Sequence, residues 1–222
     1  MNKQIFPALT GFRAIAAYMV FLYHLISFRE NIFSPELFDL FNEFHVGVTM
    51  FFVLSGFLIT HRYYGTKDFN FRDYIKNRFA RIYPMYFILT TATLIYFAVF
   101  DNDFNKTTLK VYLLSITFLR SFFKDYIFAG IGQGWTLTVE EMFYFSAPFL
   151  FFLVKRNKFY LFIIPIIMIS LGLLLESFFG PLNIYGFLKS ETFIIDFTYF
   201  GRITEFVIGI GLSLFYNEYN NK

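Results

Sequence analysis

Apolar residues run in blocks along this chain. Six blocks fall at about 8–28, 46–64, 82–100, 135–154, 159–179 and 193–216. Each is near the roughly 20 residues that let a helix span a bilayer core. A seventh run, "VYLLSITFL" at 111–119, is too short to cross. Runs of that size are more often re-entrant or interfacial. The pattern predicts an all-α fold, a polytopic membrane helix bundle of about six spans plus one short non-spanning segment. No Pro/Gly/Ser-rich linker, low-complexity tract or internal repeat interrupts it, so residues 1–222 read as a single domain.

The polar positions between the blocks set an orientation. Residues 62–81 carry six basic side chains, Arg62, Lys67, Arg72, Lys76, Arg78 and Arg81, which places that connection in the cytoplasm by the positive-inside rule. Residues 29–45 hold four acids and one arginine and fit the outside. "KRNK" (155–158) is basic and belongs inside again. These assignments agree only if 109–125 stays on the outer side without crossing. Both chain ends are then cytoplasmic.

Composition sharpens the class. The chain is 57% hydrophobic, 24% aromatic and only 16% charged, where soluble domains carry about a quarter charged residues. With no cysteine, disulfides, thiol nucleophiles and thiolate metal sites are excluded. His24, His45 and His61 lie far apart with no His-x-x-x-His pair, so no catalytic metal is expected. The net charge of +3 is small and sits in loops, which suits membrane orientation and not nucleic-acid binding. The first apolar run contains Arg13 and is followed by no small-x-small site, so it does not read as a cleavable signal.

Charges inside the spans are the candidate chemistry. Arg13 and His24 are eleven residues apart, about three helical turns plus 20°, so they share a face about 16 Å apart along the axis. The ordinary reading is a snorkelling arginine and an interfacial histidine; the shared face argues for a common polar passage. In "GWTLTVEEMFY" (134–144), Trp135 marks the outer interface, and Glu140 and Glu141 point about 100° apart, so one faces the bundle and needs a partner. In "RFARIYP" (78–84), Arg78 and Arg81 share a face at the cytoplasmic mouth of the third span, and their forked donors suit phosphate. Pro84 fits a first helical turn or a kink. Plain positive-inside charge also explains the arginines. Ser55-Gly56 permits close helix approach, and Arg202 and Glu205 form a same-face pair in the last span. His45 and His61 fall at span ends.

In order along the chain, "TGFRAIAAYMVFLYH", "GVTMFFVLSGFLIT", "RFARIYPMY", "WTLTVEEMFYF" and "GRITEFVIGIGL" together resemble the integral-membrane acyltransferase-3 family, whose members O-acylate polysaccharides, peptidoglycan, lipids and macrolides. The resemblance covers residues 8 to 212. It departs at Thr49, where the family often has an acid. The family domain also usually continues with further spans, so the resemblance implies a domain incomplete at its C-terminus.

The resemblance implies a transmembrane O-acyltransferase of a cell membrane, multi-pass and of the bacterial inner-membrane kind. It would take an acyl group, acetyl first among the candidates, from cytoplasmic acyl-CoA to a hydroxyl of a glycan or lipid-linked glycan. Arg78 and Arg81 would hold CoA phosphates, with Arg13 deeper in the passage drawing in the donor or orienting its acyl group. His24 would act as general base, with an acyl-His intermediate as the less favoured route, and Glu140 would orient or charge-tune it. Intramembrane Arg, His and Glu also mark transporters and flippases, and an inactive scaffold fits the short chain; both readings stay open at this point.

Overall fold

The computed structural model describes residues 7–26, 34–66, 69–100 and 105–220. Of the sequence features above, Lys67, Arg29 and Glu30 lie outside the described residues. Among the described residues there are nine α-helices and no strand. They are α1 (Pro7–Ile26), α2 (Pro35–Asn42), α3 (Val46–Tyr63), α4 (Phe71–Phe100), α5 (Lys106–Ile116), α6 (Trp135–Arg156), α7 (Tyr160–Phe179), α8 (Glu191–Phe197) and α9 (Tyr199–Asn220).

Among the described residues, five stretches are long and apolar enough to cross a membrane: Pro7–Ile26, Pro35–Tyr63, Phe71–Phe100, Gly132–Arg156 and Tyr160–Leu182. They leave large apolar side chains exposed, such as Ile15, Tyr18 and Phe21 on α1 and Phe162, Ile166 and Phe178 on α7. Lipid tails cover such surface as well as protein would. The fold is a membrane helix bundle, as the blocks predict. The sixth block differs in detail. It breaks at Thr198, which is extended (φ −110°, ψ 162°), and its longer part, α9, contains Arg202 and Glu205 and is not among the five apolar stretches.

The short seventh run becomes α5, whose 11 residues rise about 16 Å, half of a roughly 30 Å hydrocarbon core. Short 3₁₀ turns follow it up to Gly134. The basic connection at 62–81 holds a surprise, because from Phe71 onward it is helix. Asn70 starts it, its Oδ1 accepting from the Arg72 N–H at 2.9 Å. Its charges mark a loop by hydropathy, yet Arg and Lys are good helix formers. Pro84 therefore lies inside a 30-residue helix and not in a first turn, so a local bend is what it can supply.

The chain divides into two compact units, Met1–His61 with Glu205–Lys222, and Arg62–Thr204. The first unit is held by small residues. A Cβ on Gly47 would meet the Ala16 carbonyl oxygen at 2.7 Å, which fixes α3 against α1. A Cβ on Gly56 would strike the Phe206 carbonyl oxygen, and one on Gly209 the Val53 carbonyl oxygen. The α3–α9 crossing thus depends on two facing glycines, and the Ser55-Gly56 reading of close approach is what the backbone shows. Thr60 Oγ1 donates to the Gly56 carbonyl at 2.7 Å beside that crossing.

The second unit is built on α6, which touches α4, α7 and α8 and buries Thr138, Val139, Glu141, Phe143, Tyr144 and Ala147. Trp135 opens this helix, but its ring is 7% exposed and packs edge-on to Phe197 at 5.0 Å. It is an internal anchor and not a lipid-facing belt residue.

Candidate active site

The second unit contains a buried charge cluster. Arg78 on α4 is 7% exposed. Its guanidinium carbon stands 5.2 Å from the Tyr63 ring, 5.9 Å from Tyr74 and 5.6 Å from Tyr144. The cage is itself braced, since Tyr74 OH donates to the Tyr144 carbonyl at 3.1 Å and the Tyr63 and Tyr74 rings meet edge-on at 4.9 Å. A desolvated cation over a ring contributes up to about 2 kcal/mol. Glu141 on α6, 3% exposed, lies within electrostatic reach of Arg78. Arg78 Nε and Glu141 Oε1 are both buried without a hydrogen-bond partner. A buried guanidinium and a buried carboxyl group, each with one atom lacking a hydrogen-bond partner, lie near the Tyr74 ring.

Glu140 is half-buried, and its Oε1 accepts from Tyr144 OH one turn on. Of the two adjacent acids the more deeply buried is therefore Glu141, a residue to which sequence reasoning gave no role. Helical phase was a weak guide, because α6 is buried around much of its circumference. Arg78 and Arg81, expected to act together, are divided: Arg78 is buried in the cage, and Arg81 is exposed.

A second arginine escaped the sequence reading altogether. Arg120, 1% exposed, donates from Nη1 to the Ala129 carbonyl and from Nη2 to the Ile131 carbonyl at 2.5 Å. Burial lowers its pKa from the ordinary arginine value, but a guanidinium remains charged. A Cβ on Gly134 would collide with Arg120 Nη2, so the glycine before α6 makes room for this side chain. Nothing in a short polar run distinguishes such an arginine from a solvated one.

The first unit carries Arg13 and His24 on one continuous helix, α1, both half-buried. The His24 ring meets Tyr23 edge-on at 4.9 Å. Tyr23 in turn lies 6.1 Å from the ring of His45. His45 Nδ1 donates to the Asn42 carbonyl at 2.7 Å, which leaves its Nε2 as the unprotonated nitrogen of the neutral ring. His61 stacks on Phe57 at 6.1 Å with Nδ1 3.2 Å from Asn217 Oδ1. Arg202 Nε donates to the Asp196 carbonyl at 2.6 Å. Among the described residues no group of three His, Cys, Asp or Glu side chains could hold a metal ion.

A family model described as an acyltransferase domain, of the acyltransferase-3 type, matches residues 6–222. The chain belongs to this acyltransferase family. Its curated relatives include a protein of Acidianus two-tailed virus provisionally named acetyltransferase ORF330, 29% identical over 202 residues, 90% of this chain and 52% of the relative. Another is provisionally named peptidoglycan O-acetyltransferase YrhL, of Bacillus subtilis (strain 168), 29% identical over 161 residues, 66% of this chain and 24% of the relative. O-acetyltransferase OatA of Staphylococcus aureus (strain NCTC 8325 / PS 47) is 25% identical over 171 residues, 71% of this chain and 26% of the relative. The acyltransferase chain thus spans about half of the viral relative and about a quarter of the two bacterial ones. No solved structure matches it.

Proposed function

We propose that this chain serves as one membrane O-acyltransferase domain, moving an acyl group, acetyl by preference, from acyl-CoA to a hydroxyl of a cell-envelope glycan. The observation that carries the reading is the family match over nearly the whole chain, with relatives named as O-acetyltransferases and one of them as acting on peptidoglycan. A multi-pass bundle with polar groups inside its spans is what such a transfer across a bilayer needs.

In this reading the basic end of α4 faces the cytoplasm, as do both termini, in a membrane of the bacterial inner-membrane kind. Arg81, exposed at that end, meets the CoA phosphates. Arg78 supports it from the tyrosine cage, because an anion brought onto Arg78 would also approach Glu141. His24 removes the proton from the acceptor hydroxyl. The oxygen then attacks the thioester carbonyl, the carbon–sulfur bond breaks, and the proton on His24 passes to the departing CoA thiolate. Arg13, on the same helix, draws in or orients the donor. Glu140, held by Tyr144, is assigned the charge-tuning role and moves no proton itself.

The test is thiol release. This chain has no cysteine, so a thiol reagent reads free CoA without protein background. Purified protein in bilayer discs, given acetyl-CoA and peptidoglycan fragments, should release CoA and acetylate the fragments in step. Proton-coupled uptake without acetylated product would replace this reading with transport.

A further inference from the structure

Toward the end of α4 away from its arginines, α4, α5 and residues 129–131 enclose a cavity of about 210 Å³. α5 folds back along α4 here, and the Tyr112 hydroxyl lies 3.1 Å from Thr91 Oγ1 across the pair. The third wall is held by the buried Arg120, which donates to the Ala129 and Ile131 carbonyls.

The cavity offers little to a polar ligand. No charged side chain lines it. Its hydroxyls are mostly bonded within the protein. Thr93 Oγ1 donates to the Leu89 carbonyl at 2.9 Å, Ser115 Oγ to the Val111 carbonyl at 2.7 Å and Thr108 Oγ1 to Asn105 Oδ1 at 3.3 Å. Thr90 Oγ1 is sealed from the space. The inner lining is carbon, from Leu94, Phe97, Val111, Ala129 and Ile131. The polar remainder, Asn105, Thr107 and Thr108, stands at one end, where α5 begins. From Thr108 to Ser115 the lining runs about 10 Å along α5.

Size and surroundings name the guest. A dry apolar cavity of roughly 150 Å³ takes a molecule the size of benzene, so the space here suits a chain of about six to eight carbons. α4 is one of the stretches apolar enough to cross a membrane. Ile95 and Val99 on α4 and Leu109 and Leu113 on α5 are exposed, and in a bilayer hydrocarbon chains cover them. The cavity thus lies between two lipid-covered helices, and a chain entering it exchanges one apolar surrounding for a better-packed one.

We infer that this cavity holds one acyl chain of a bilayer lipid. Its ester end lies by Asn105, Thr107 and Thr108, and its inner carbons lie against Ala129 and Ile131. This role rests on the membrane bundle and not on the acyl-transfer reading above.

The test is photolabelling by phosphatidylcholine with a mid-chain diazirine, mapped by peptide mass spectrometry. The protein is held in digitonin, whose fused-ring body is too broad for the cavity, with a trace of the probe. In the native chain, labelling at Leu94, Phe97 and Val111 should exceed that at the exposed Phe162 and Ile166 of α7 at least about fivefold, because packing surrounds the chain only in the cavity. Unlabelled phosphatidylcholine should remove the excess. Thr93→Phe and Val111→Phe, which fill the cavity from two different helices, should each abolish it and leave α7 labelling unchanged. Labelling of α7 equal to that of the cavity in the native chain would overturn the proposal, whether or not the variants accumulate. An excess that survives a filling variant would overturn it too. Displacement of the probe by hexanoyl-CoA would give the cavity to a donor's acyl chain and overturn the lipid assignment.

Discussion

Arg78 and Glu141 should behave as one energetic unit, and a double-mutant cycle measures it. Arg78→Leu leaves a carboxylate that is 3% exposed without its nearby cation, and removes a guanidinium that three tyrosine rings surround at 5.2–5.9 Å. Breaking a buried charge pair by removing one partner costs about 3–5 kcal/mol, whereas replacing both partners with apolar groups is often neutral. Arg78 Nε and Glu141 Oε1 make no hydrogen bond, which puts this pair below that range. With no ion pair or hydrogen bond joining them, we expect about 2 kcal/mol for each single variant and a double variant about 1 kcal/mol more stable than their sum, within the roughly 0.5–3 kcal/mol of neighbouring residues. The assay is unfolding by a denaturing detergent, read from Trp135, the single tryptophan, which is buried at the head of α6 in the same unit. Costs that add to within about 0.5 kcal/mol, the usual margin for independent sites, would refute the pairing and leave Arg78 held by the tyrosine cage alone.

Other expectations follow from the same geometry. Arg81→Ala should raise the KM for acyl-CoA about tenfold with little loss of stability, and Arg81→Lys should recover part of it, because lysine keeps the charge without the fork; an unchanged donor KM would leave Arg81 a topology signal. Arg120→Leu should destabilise the chain by about 2–4 kcal/mol by stripping two carbonyls of a charged donor and should open residues 117–134 to limited proteolysis; native-like protease resistance would count against it. Gly56→Leu should cost at least about 1–3 kcal/mol, since the Phe206 carbonyl cannot move aside without separating α3 from α9; the expected readout is a lower melting temperature in detergent. A cysteine at Asn157 should resist membrane-impermeant labelling from outside intact cells. Labelling there would reverse the orientation and show that 109–125 crosses.

What the sequence made legible was the periodic, apolar part of the fold. Long blocks became long helices because roughly 20 apolar residues satisfy their own backbone only as helix in lipid. The short run at 111–119 was readable for the same reason. Charge misled in one place. Residues 71–81 look like loop to any hydropathy count, yet they extend α4, and Pro84 moved with them into a helix interior. The site was less readable. Arg13 and His24 stand out because they interrupt an apolar helix. Glu141 did not, since its neighbour Glu140 has the same chemistry and only three-dimensional packing chose between them. Arg120 and the cavity between α4 and α5 were invisible because threonines and a lone arginine in a polar connection have no period to betray them.

In the proposed reaction His24 is the general base. The direct measurement is acetyl transfer from acetyl-CoA to peptidoglycan fragments by membranes holding equal amounts of native, His24→Ala and His24→Gln protein. A positioned general base contributes about 10²–10⁴-fold, so both variants should lose at least a hundredfold in acetylated product while inserting normally. Full transfer by His24→Ala would contradict the account and shift the base to His45, whose Nε2 the Asn42 carbonyl leaves as the acceptor nitrogen.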